Sequence, residues 1–227
     1  RDLYLFDGWY TQKTGGTKVY SYDSYNWQQN ITLYAHWKVD VGDIVTFGRY
    51  EQDNNTSNGK EDIEWIVLSK SGGTIFVVSK YALDYHAFHS STGPTTWDAC
   101  SLRTWLNGTF INNAFTSSEK SRISYTSLGN VSDKVFLLSA GEAETHLSKS
   151  QRKCVPSKYA ITNGVDTTNG NCYWLLRTMG RSNYYSQYVT PYGEIDSDGN
   201  PLDDGVYSHG SAQGESAVRP AMKVYIN

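Results

Sequence analysis

Two apolar runs on either side of a glycine pair constrain the fold of this chain more than any other feature. The runs "IEWIVLS" and "TIFVVSKYAL" are rich in β-branched residues, and Gly72 and Gly73 lie close to the point where one run gives way to the other. β-branched residues favour extended backbone, and paired glycines adopt the positive φ angles of a tight hairpin turn. Together with the earlier run "VGDIVTFGRYEQ", the pattern predicts three or four strands of a β-rich core.

A change in composition near residue 40 divides the chain into two parts. Residues 1–39 contain a Gly15-Gly16 turn and end on an alternating run, which places Leu33, Ala35 and Trp37 on one face of a predicted strand. This segment is predicted to be a small β-rich unit. Residues 41–227 are predicted to form one domain, which is long enough to bury a substantial core.

Helix signals follow the predicted hairpin. In "TTWDACSLRTWLNGTF", Thr95 or Thr96 is a candidate N-cap and Gly108 is a candidate stop. Two capping boxes, in which a Ser or Thr is followed by Glu three residues later, are centred on Thr116 and Ser139. "KVFLL" is predicted to be a short buried strand and "SAVRPAMKVYI" a final strand. The whole pattern is that of an α+β protein with short helices and long loops.

Charge and cysteine content exclude several classes of protein. The 227 residues carry 20 basic and 23 acidic side chains, a formal charge of −3, which argues against a nucleic-acid partner. An apolar run of about 20 residues, as a membrane span requires, is absent from the sequence. Cys100, Cys154 and Cys172 form at most one disulfide and show no spacing typical of zinc ligands. Since Arg1 does not open a signal peptide, the chain is interpreted as a fragment of a longer protein whose targeting signals lie elsewhere.

The N-terminal segment resembles a known repeat. Its motifs "FDGWYT", "GGTKV" and "ITLYAHW" are similar to the second half of a Listeria-Bacteroides repeat, the internalin-type B module of bacterial surface proteins. The resemblance covers about 35 residues and lacks the first half of the repeat. It implies a cell-wall or secreted location and a spacer role.

The rest of the chain carries a second resemblance. "GRYEQDNNTSNGKEDIEWIVLS", "CSLRTWLNGTFINNAF", "KVFLLS", "YWLLRT" and "VRPAMKV" are similar to a domain of unknown function in Firmicutes surface proteins. The aromatic-Leu-Arg and Val-Arg-Pro-Ala motifs also resemble the core of formylglycine-generating enzymes and retroelement-diversified variable proteins. Both groups have the C-type-lectin-like fold, which implies a small twisted antiparallel sheet with two or three short helices and long loops.

A tyrosine-rich stretch between those two arginine motifs is the main candidate site. Tyr mixed with Ser and Asn is typical of binding loops, because Tyr offers contact area at low entropic cost, and the resemblance implies that this region carries the binding face. The alternative is an ordinary strand with half of its tyrosines in the core. The predicted ligand-binding residues are Trp174, Arg177, Asn183, Tyr184, Tyr185, Tyr188, Tyr192 and Tyr207.

Two arginines in apolar surroundings are predicted to organise the loops. Arg177 follows "CYWLL" and Arg219 lies within "SAVRPAM", so each must find acceptors, because an unpaired buried charge is too costly to keep. Direct contact between Arg177 and a ligand is the alternative reading.

Metal sites are only weakly indicated, and no cofactor is predicted. Asp196, Asp198 and Asn200 alternate as calcium ligands can, but the same residues form a turn signal, and the calcium motifs of sugar-binding C-type lectins are absent. The loop at 53–58 is similarly rich in oxygen atoms. His86 and His89 beside Asp84 could form a partial metal site, but "YALDYHAFH" reads as an irregular loop.

Three functions are compatible with these patterns. The first is a non-catalytic module that binds a protein or glycan at the cell surface, and the second is a structural unit of a surface stalk. The third is an enzyme related to the formylglycine-generating group, with perturbed titratable residues near Arg177, His209 and Glu215. Because the reactive cysteines of that group have no counterpart after Cys172, we expect a binding module and not an enzyme. The identity of the ligand, the pairing of Cys154 with Cys172 and the oligomeric state stay open.

Overall fold

A computed structural model describes residues 1–24, 30–91, 94–196 and 215–226, and it shows a mostly-β α+β fold. The strands among these residues, β1 to β16 in chain order, are Leu5–Tyr10, Lys18–Val19, Tyr34–Lys38, Ile44–Tyr50, Glu61–Ser71, Thr74–Ser79, Asp84–Ala87, Ile123–Ser124, Thr126–Leu128, Val131–Asp133, Val135–Phe136, Trp174–Met179, Ser186–Val189, Ile195–Asp196, Glu215–Val218 and Ala221–Tyr225. The helices α1 to α6 are Ser101–Trp105, Ile111–Ala114, Ser117–Arg122, Ala140–His146, Lys149–Arg152 and Lys158–Thr162. A 3-10 turn spans Trp97–Ala99, and a π-helical turn spans Leu106–Phe110.

Two large sheets organise residues 41–226, which we call the main domain. One contains β11, β16, β6, β5 and β4 in that order, with β8 added to β16, and the other contains β14, β13, β12, β15 and β7. Their pairings are antiparallel except for β12 and β15, which run parallel. The buried core includes residues of both sheets and of the helices, among them Trp65, Phe110 and Trp174.

The glycine-pair prediction is confirmed. β5 and β6 form a hairpin in which Ser71 pairs with Thr74, so that Gly72 and Gly73 alone make the turn. Their φ angles are +55° and +75°, which glycine adopts without steric cost. Ile75, Val77 and Val78 of β6 are fully buried, as the apolar run indicated.

The helices follow their local signals in part. The capping boxes at Thr116 and Ser139 are both formed and begin α3 and α4. The predicted stop at Gly108 is wrong, because the chain passes through this residue in the π-helical turn and continues as α2. α1 has Cys100 as its N-cap, and the Cys100 Sγ atom accepts a hydrogen bond from the Arg103 N–H.

The C-terminal run is divided between the two sheets. β15 pairs with β7 and β12, whereas β16 pairs with β6, β8 and β11. Arg219 and Pro220 connect the two strands, and the Pro220 carbonyl accepts a hydrogen bond from the Ser79 N–H at 2.8 Å. The prediction of one final strand is therefore corrected to two strands, which join the sheets where the Arg-Pro motif lies.

Residues 1–39, which we call the repeat segment, form a separate sheet in the order β2, β1, β3. Both ends of this segment pack on the main domain. Leu3 and Val39 are buried in the common core, the Leu3 N–H donates to the Thr46 carbonyl at 3.1 Å, and the Lys70 ammonium donates to the Val39 carbonyl at 2.7 Å. The repeat segment is therefore held at two points.

Across the described ranges, no helix combines the length and the apolar character that crossing a bilayer requires.

Candidate functional site

The most exposed part of the tyrosine-rich stretch is the turn at residues 180–185, between β12 and β13. Arg181, Ser182, Asn183 and Tyr184 are all exposed, and Tyr184 keeps 52% of its surface accessible. Tyr185 is half-buried, with the Arg181 guanidinium 4.8 Å from the centre of its ring. The turn thus offers a phenol ring, a guanidinium, an amide and a hydroxyl in four consecutive residues.

Backbone hydrogen bonds fix this turn to the core. The Gly180 N–H donates to the Tyr185 carbonyl at 2.7 Å, and the Tyr185 N–H donates to the Ser182 carbonyl at 3.1 Å. The Thr95 N–H donates to the Asn183 carbonyl at 2.8 Å, which ties the turn to the segment before α1. A loop held in one conformation loses little entropy when it binds a partner.

Two of the predicted contact residues lie inside the protein. Trp174 and Tyr188 are fully buried, and the Trp174 indole N–H donates to the Arg152 carbonyl at 2.8 Å. The Tyr188 hydroxyl donates to Asp196 at 3.0 Å. The prediction that these two side chains border an exposed face is therefore wrong. Trp174 pairs with Val189 and Tyr188 with Leu175, so the two rings lie on opposite faces of the β12–β13 pair, and both faces are covered there.

The remaining tyrosines do not converge on the turn. Tyr192 is 53% exposed, but it lies between β13 and β14, whereas Tyr184 precedes β13, so the two rings lie at opposite ends of that strand. Tyr207 lies outside the described residues. The structure therefore groups Asn183, Tyr184 and Tyr185 together and separates Tyr188 and Tyr192 from them.

Arg177 is half-buried and bonded on its guanidinium to groups of the protein. Its Nη2 donates to Glu142 Oε1 at 2.8 Å, its Nη1 contacts the other Glu142 oxygen, and Nη1 also donates to the Leu137 carbonyl at 2.7 Å. Burial favours the protonated form of Glu142, but the Arg177 guanidinium and the Ser139 N–H outweigh it and lower the pKa of this carboxyl. Arg177 therefore anchors α4 to β12.

Arg219 is fully buried where the chain passes from β15 to β16. Its Nε donates to the Ser79 carbonyl at 2.8 Å and its Nη1 to the Gln151 carbonyl at 3.3 Å. The guanidinium lies 4.9 Å from the ring centre of Trp174. These contacts give Arg219 an organising role and leave it inaccessible to a ligand.

Asp84 is a buried carboxylate on β7, a strand that the sequence analysis wrongly assigned to an irregular loop. It accepts hydrogen bonds from the Tyr50 hydroxyl and from Asn163 Nδ2 at 3.1 Å, and His86 Nε2 lies 3.6 Å from its Oδ2. Burial favours the protonated acid, but His86, Tyr50 and the Tyr85 N–H outweigh it and lower the pKa of Asp84. Asp84 thereby joins β4, β7 and the end of α6.

The two histidines of the weak metal motif have different partners. His89 Nδ1 accepts from the Ser101 N–H at 3.2 Å, and its Nε2 lies 2.8 Å from Ser91 Oγ. The His86 ring packs against Trp105 with centroids 4.0 Å apart. Both nitrogens of His89 are thus occupied, one by Ser91 and one by the first residue of α1, so the two histidines are not arranged as a shared metal site.

An acidic cluster lies at the oxygen-rich loop that follows β4. Carboxylate oxygens of Glu51, Asp53 and Glu61 lie within 4.8 Å of one another. They accept hydrogen bonds from the loop itself, including the Gln52 N–H to Glu61 at 2.7 Å and the Asn55 N–H to Asp53 at 2.8 Å. These bonds shape the loop.

The other calcium candidates cannot be placed together. Asp196 ends β14 and accepts a hydrogen bond from the Tyr188 hydroxyl, while Asp198 and Asn200 lie outside the described residues.

Two further residues were named for the enzyme alternative. His209 lies outside the described residues, and Glu215 begins β15, where its backbone pairs with Ala87.

The repeat segment carries exposed rings that sequence reasoning did not single out. Phe6 pairs across the sheet with Trp37 and contacts Trp9, with ring centroids 5.5 Å apart in both cases. Their exposed fractions are 49% for Phe6, 37% for Trp37 and 49% for Trp9. The alternation of β3 predicted that Trp37 shares a face with Ala35, but the contact with Phe6 depends on the register between β1 and β3.

Comparison with known families identifies both parts of the chain. A family model described as "Domain of unknown function (DUF6273)" matches residues 72–226, more than half of the chain. The chain belongs to the DUF6273 family. The model of the Listeria-Bacteroides repeat domain matches residues 1–36, and this repeat is typical of surface proteins. Comparison with curated proteins and with solved structures gives no match.

The DUF6273 match begins at the hairpin turn between β5 and β6. β4 and β5 precede the matched residues, yet they pair with β6 in the same six-stranded sheet. The folded unit that carries the DUF6273 sequence therefore includes strands on the N-terminal side of the matched range.

Proposed function

We propose that this DUF6273 protein is a non-catalytic binding module of a bacterial surface or secreted protein, and that it presents the 180–185 turn to a protein or glycan ligand. The observation that carries the proposal is the exposure of Arg181, Ser182, Asn183 and Tyr184 on a turn fixed by backbone hydrogen bonds. Aromatic rings and arginines supply much of the binding energy in protein interfaces, and aromatic rings also stack on sugars.

The surface location is part of this proposal. It is supported by the match of residues 1–36 to a repeat that is typical of surface proteins. In this proposal the repeat segment is a spacer, and its attachment through Leu3 and Val39 favours a fixed orientation of the binding module over a freely swinging one. A purely structural unit of a stalk is the second candidate, and the same attachment supports it.

We further propose that the main domain is a distant C-type-lectin-like domain. The support is its pair of sheets, joined where the Arg-Pro motif lies, and the long connections between them. Superposition of an experimental structure on known C-type-lectin-like domains tests this assignment. A different strand order in the common core would refute it.

The binding proposal is tested by screening the purified chain on glycan and surface-protein arrays, with and without a calcium chelator. The variant Tyr184→Ala is compared with Tyr192→Ala, which removes a ring of nearly equal exposure from the other end of β13. We expect Tyr184→Ala to lose the array signal and Tyr192→Ala to keep it. A signal that survives Tyr184→Ala would remove the turn from the binding site, and a chelator-sensitive signal would indicate calcium.

A further inference from the structure

Cys154 and Cys172 lie side by side in the core, although 17 residues separate them in the sequence. The Cys172 N–H donates to the Cys154 carbonyl at 2.8 Å, and the Cys172 thiol lies 3.3 Å from the same oxygen. A backbone bond of this kind holds two Cα atoms roughly 5 to 6 Å apart, which is within the range that a disulfide spans. Both side chains are fully buried.

A buried cation accompanies this pair. Arg219 contacts two carbonyl oxygens and the Trp174 ring, and in the part of the chain that the structure describes it has no carboxylate partner. Burial opposes ionisation of Cys154, but the thiol of Cys172 and the charge of Arg219 outweigh it and lower the pKa of Cys154 to about 7. The charge of Arg219 thus favours the thiolate form of Cys154.

The pKa values of the other two thiols change in the opposite direction. The hydrogen bond to Cys154 and burial raise the pKa of Cys172, which favours Cys154 over Cys172 as the attacking thiolate. Burial raises the pKa of Cys100 to about 11. Cys100 lies at the start of α1, bonded to the Trp97 carbonyl and to the Arg103 N–H.

We propose that Cys154 and Cys172 are a covalent modification site, at which a low-molecular-weight disulfide oxidises the two thiols to an intramolecular disulfide. The Cys154 thiolate attacks one sulfur of the small disulfide, forms a mixed disulfide and releases one small thiolate. Cys172 then gives up its proton and attacks the Cys154 sulfur, which releases the second small thiolate. The two protein thiols lose two electrons and two protons, and the small disulfide becomes two thiols.

The bond would join the end of the α5 segment to the residue before Tyr173 and β12. It closes the loop that contains α6, and it fixes the base of the strand whose other end carries the 180–185 turn. Because both sulfurs are buried, exchange takes place while the chain folds or when this region opens locally.

The test unfolds the full chain and refolds it in buffers that contain reduced and oxidised glutathione at defined ratios. Alkylation under denaturing conditions then counts the free thiols, and peptide mapping locates any crosslink. We expect two of the three thiols to be lost in oxidising buffer and to return in reducing buffer, with the crosslink between Cys154 and Cys172. The proposed binding function is not needed for this result.

Matched variants make the test specific. Cys100→Ser keeps the N-cap, because serine is a favourable capping residue, and it should lose both of its remaining thiols. Cys172→Ser should form no crosslink and, in oxidising buffer, should stop at the mixed disulfide of Cys154 with glutathione, because the thiol that resolves it is missing. In the wild type, three free thiols at every glutathione ratio, a crosslink through Cys100, or a glutathione adduct that persists on Cys154 would each overturn the proposal.

Discussion

The described tryptophans of the repeat segment are exposed, whereas those of the DUF6273 portion are buried or partly buried. Trp9 and Trp37 keep 49% and 37% of their surface accessible, whereas Trp174 keeps none. The repeat segment is a three-stranded sheet, and its exposed rings Phe6, Trp9 and Trp37 pack on one another. The main domain has two large sheets, a two-stranded sheet and six α-helices among its described residues, which allows it to enclose most of its rings.

This difference shows that exposure alone does not mark a ligand site. A thin sheet exposes rings because it has little to bury them against, whereas a domain with a complete core can bury most of its rings, as it does Trp65 and Trp174. Tyr184 belongs to the second kind of domain and is nevertheless exposed. Its exposure on a fixed turn, beside Arg181 and Asn183, is therefore the stronger indication of a contact surface.

The largest expected effect on stability comes from replacing a buried tryptophan of the main domain. Trp174→Ala removes a fully buried ring that donates to the Arg152 carbonyl and lies against the Arg219 guanidinium. We expect the free energy of unfolding to fall by about 3–5 kcal/mol, the usual cost of replacing a buried aromatic ring by alanine. Urea unfolding followed by circular dichroism measures it. A loss below about 1 kcal/mol would contradict the burial of this ring.

The second effect concerns the junction between the two regions. Leu3→Ala removes a fully buried side chain of the repeat segment from the common core, and we expect a loss of about 2–4 kcal/mol in urea unfolding. Leu5→Ala is the matched control, because Leu5 is exposed on β1, and it should cost less than about 1 kcal/mol. Equal effects of the two variants would show that the repeat segment is not anchored through Leu3.

The local features of the fold were predictable because they depend on neighbouring residues. The Gly72-Gly73 hairpin and the boxes at Thr116 and Ser139 are each complete within a few positions. A third box, in which Ser148 pairs with Gln151 at the start of α5, carried the same signal with Gln in place of Glu and was missed.

Features that depend on distant partners were not predictable. β7 is a strand because Asp84 to Ala87 pair with β15, more than 120 residues later in the chain. Tyr188 is buried where its ring packs against Tyr173 and its hydroxyl bonds to Asp196, and an alternating run does not reveal which of its faces is covered. The sequence therefore predicted the stretch that contains the candidate turn, but only some of the predicted ligand-binding residues lie in that turn.

A third prediction concerns the ion pair that holds β12. Glu142→Gln keeps the capping box, since glutamine also accepts from the N-cap N–H, but it removes the charge opposite Arg177. We expect a loss of about 1–3 kcal/mol at neutral pH. Glu119→Gln is the control, because Glu119 occupies the same position in the Thr116 box.

This loss should depend on pH in a defined direction. Because the folded state lowers the pKa of Glu142 below its ordinary value of 4.5, the stability that it contributes is fully present above that value and disappears as the pH falls through the folded pKa. The difference between the wild type and Glu142→Gln should therefore shrink on acidification. If the difference in unfolding free energy between the two proteins stayed constant from neutral to acidic pH, the charge of Glu142 would not be what stabilises the fold.

The smallest effect on stability is expected when an exposed tryptophan of the repeat segment is replaced. Trp9→Ala removes a half-exposed ring of the repeat segment, and we expect the free energy of unfolding to change by less than about 1 kcal/mol, since surface substitutions have small effects. Urea unfolding under the conditions used for Trp174→Ala provides the direct contrast. A loss as large as that of Trp174→Ala would mean that the rings of the repeat segment form a core of their own.

The most direct test of the account is the affinity of four proteins for the ligand with the strongest array signal, measured by calorimetric titration. The proteins are the wild type, Tyr184→Ala, Tyr192→Ala and Trp9→Ala. We predict that Tyr184→Ala weakens binding about tenfold or more, as expected for a ring at the centre of a contact surface, while the other two variants stay close to the wild type. Loss of binding in Trp9→Ala with full binding in Tyr184→Ala would contradict the account and would move the contact surface to the repeat segment.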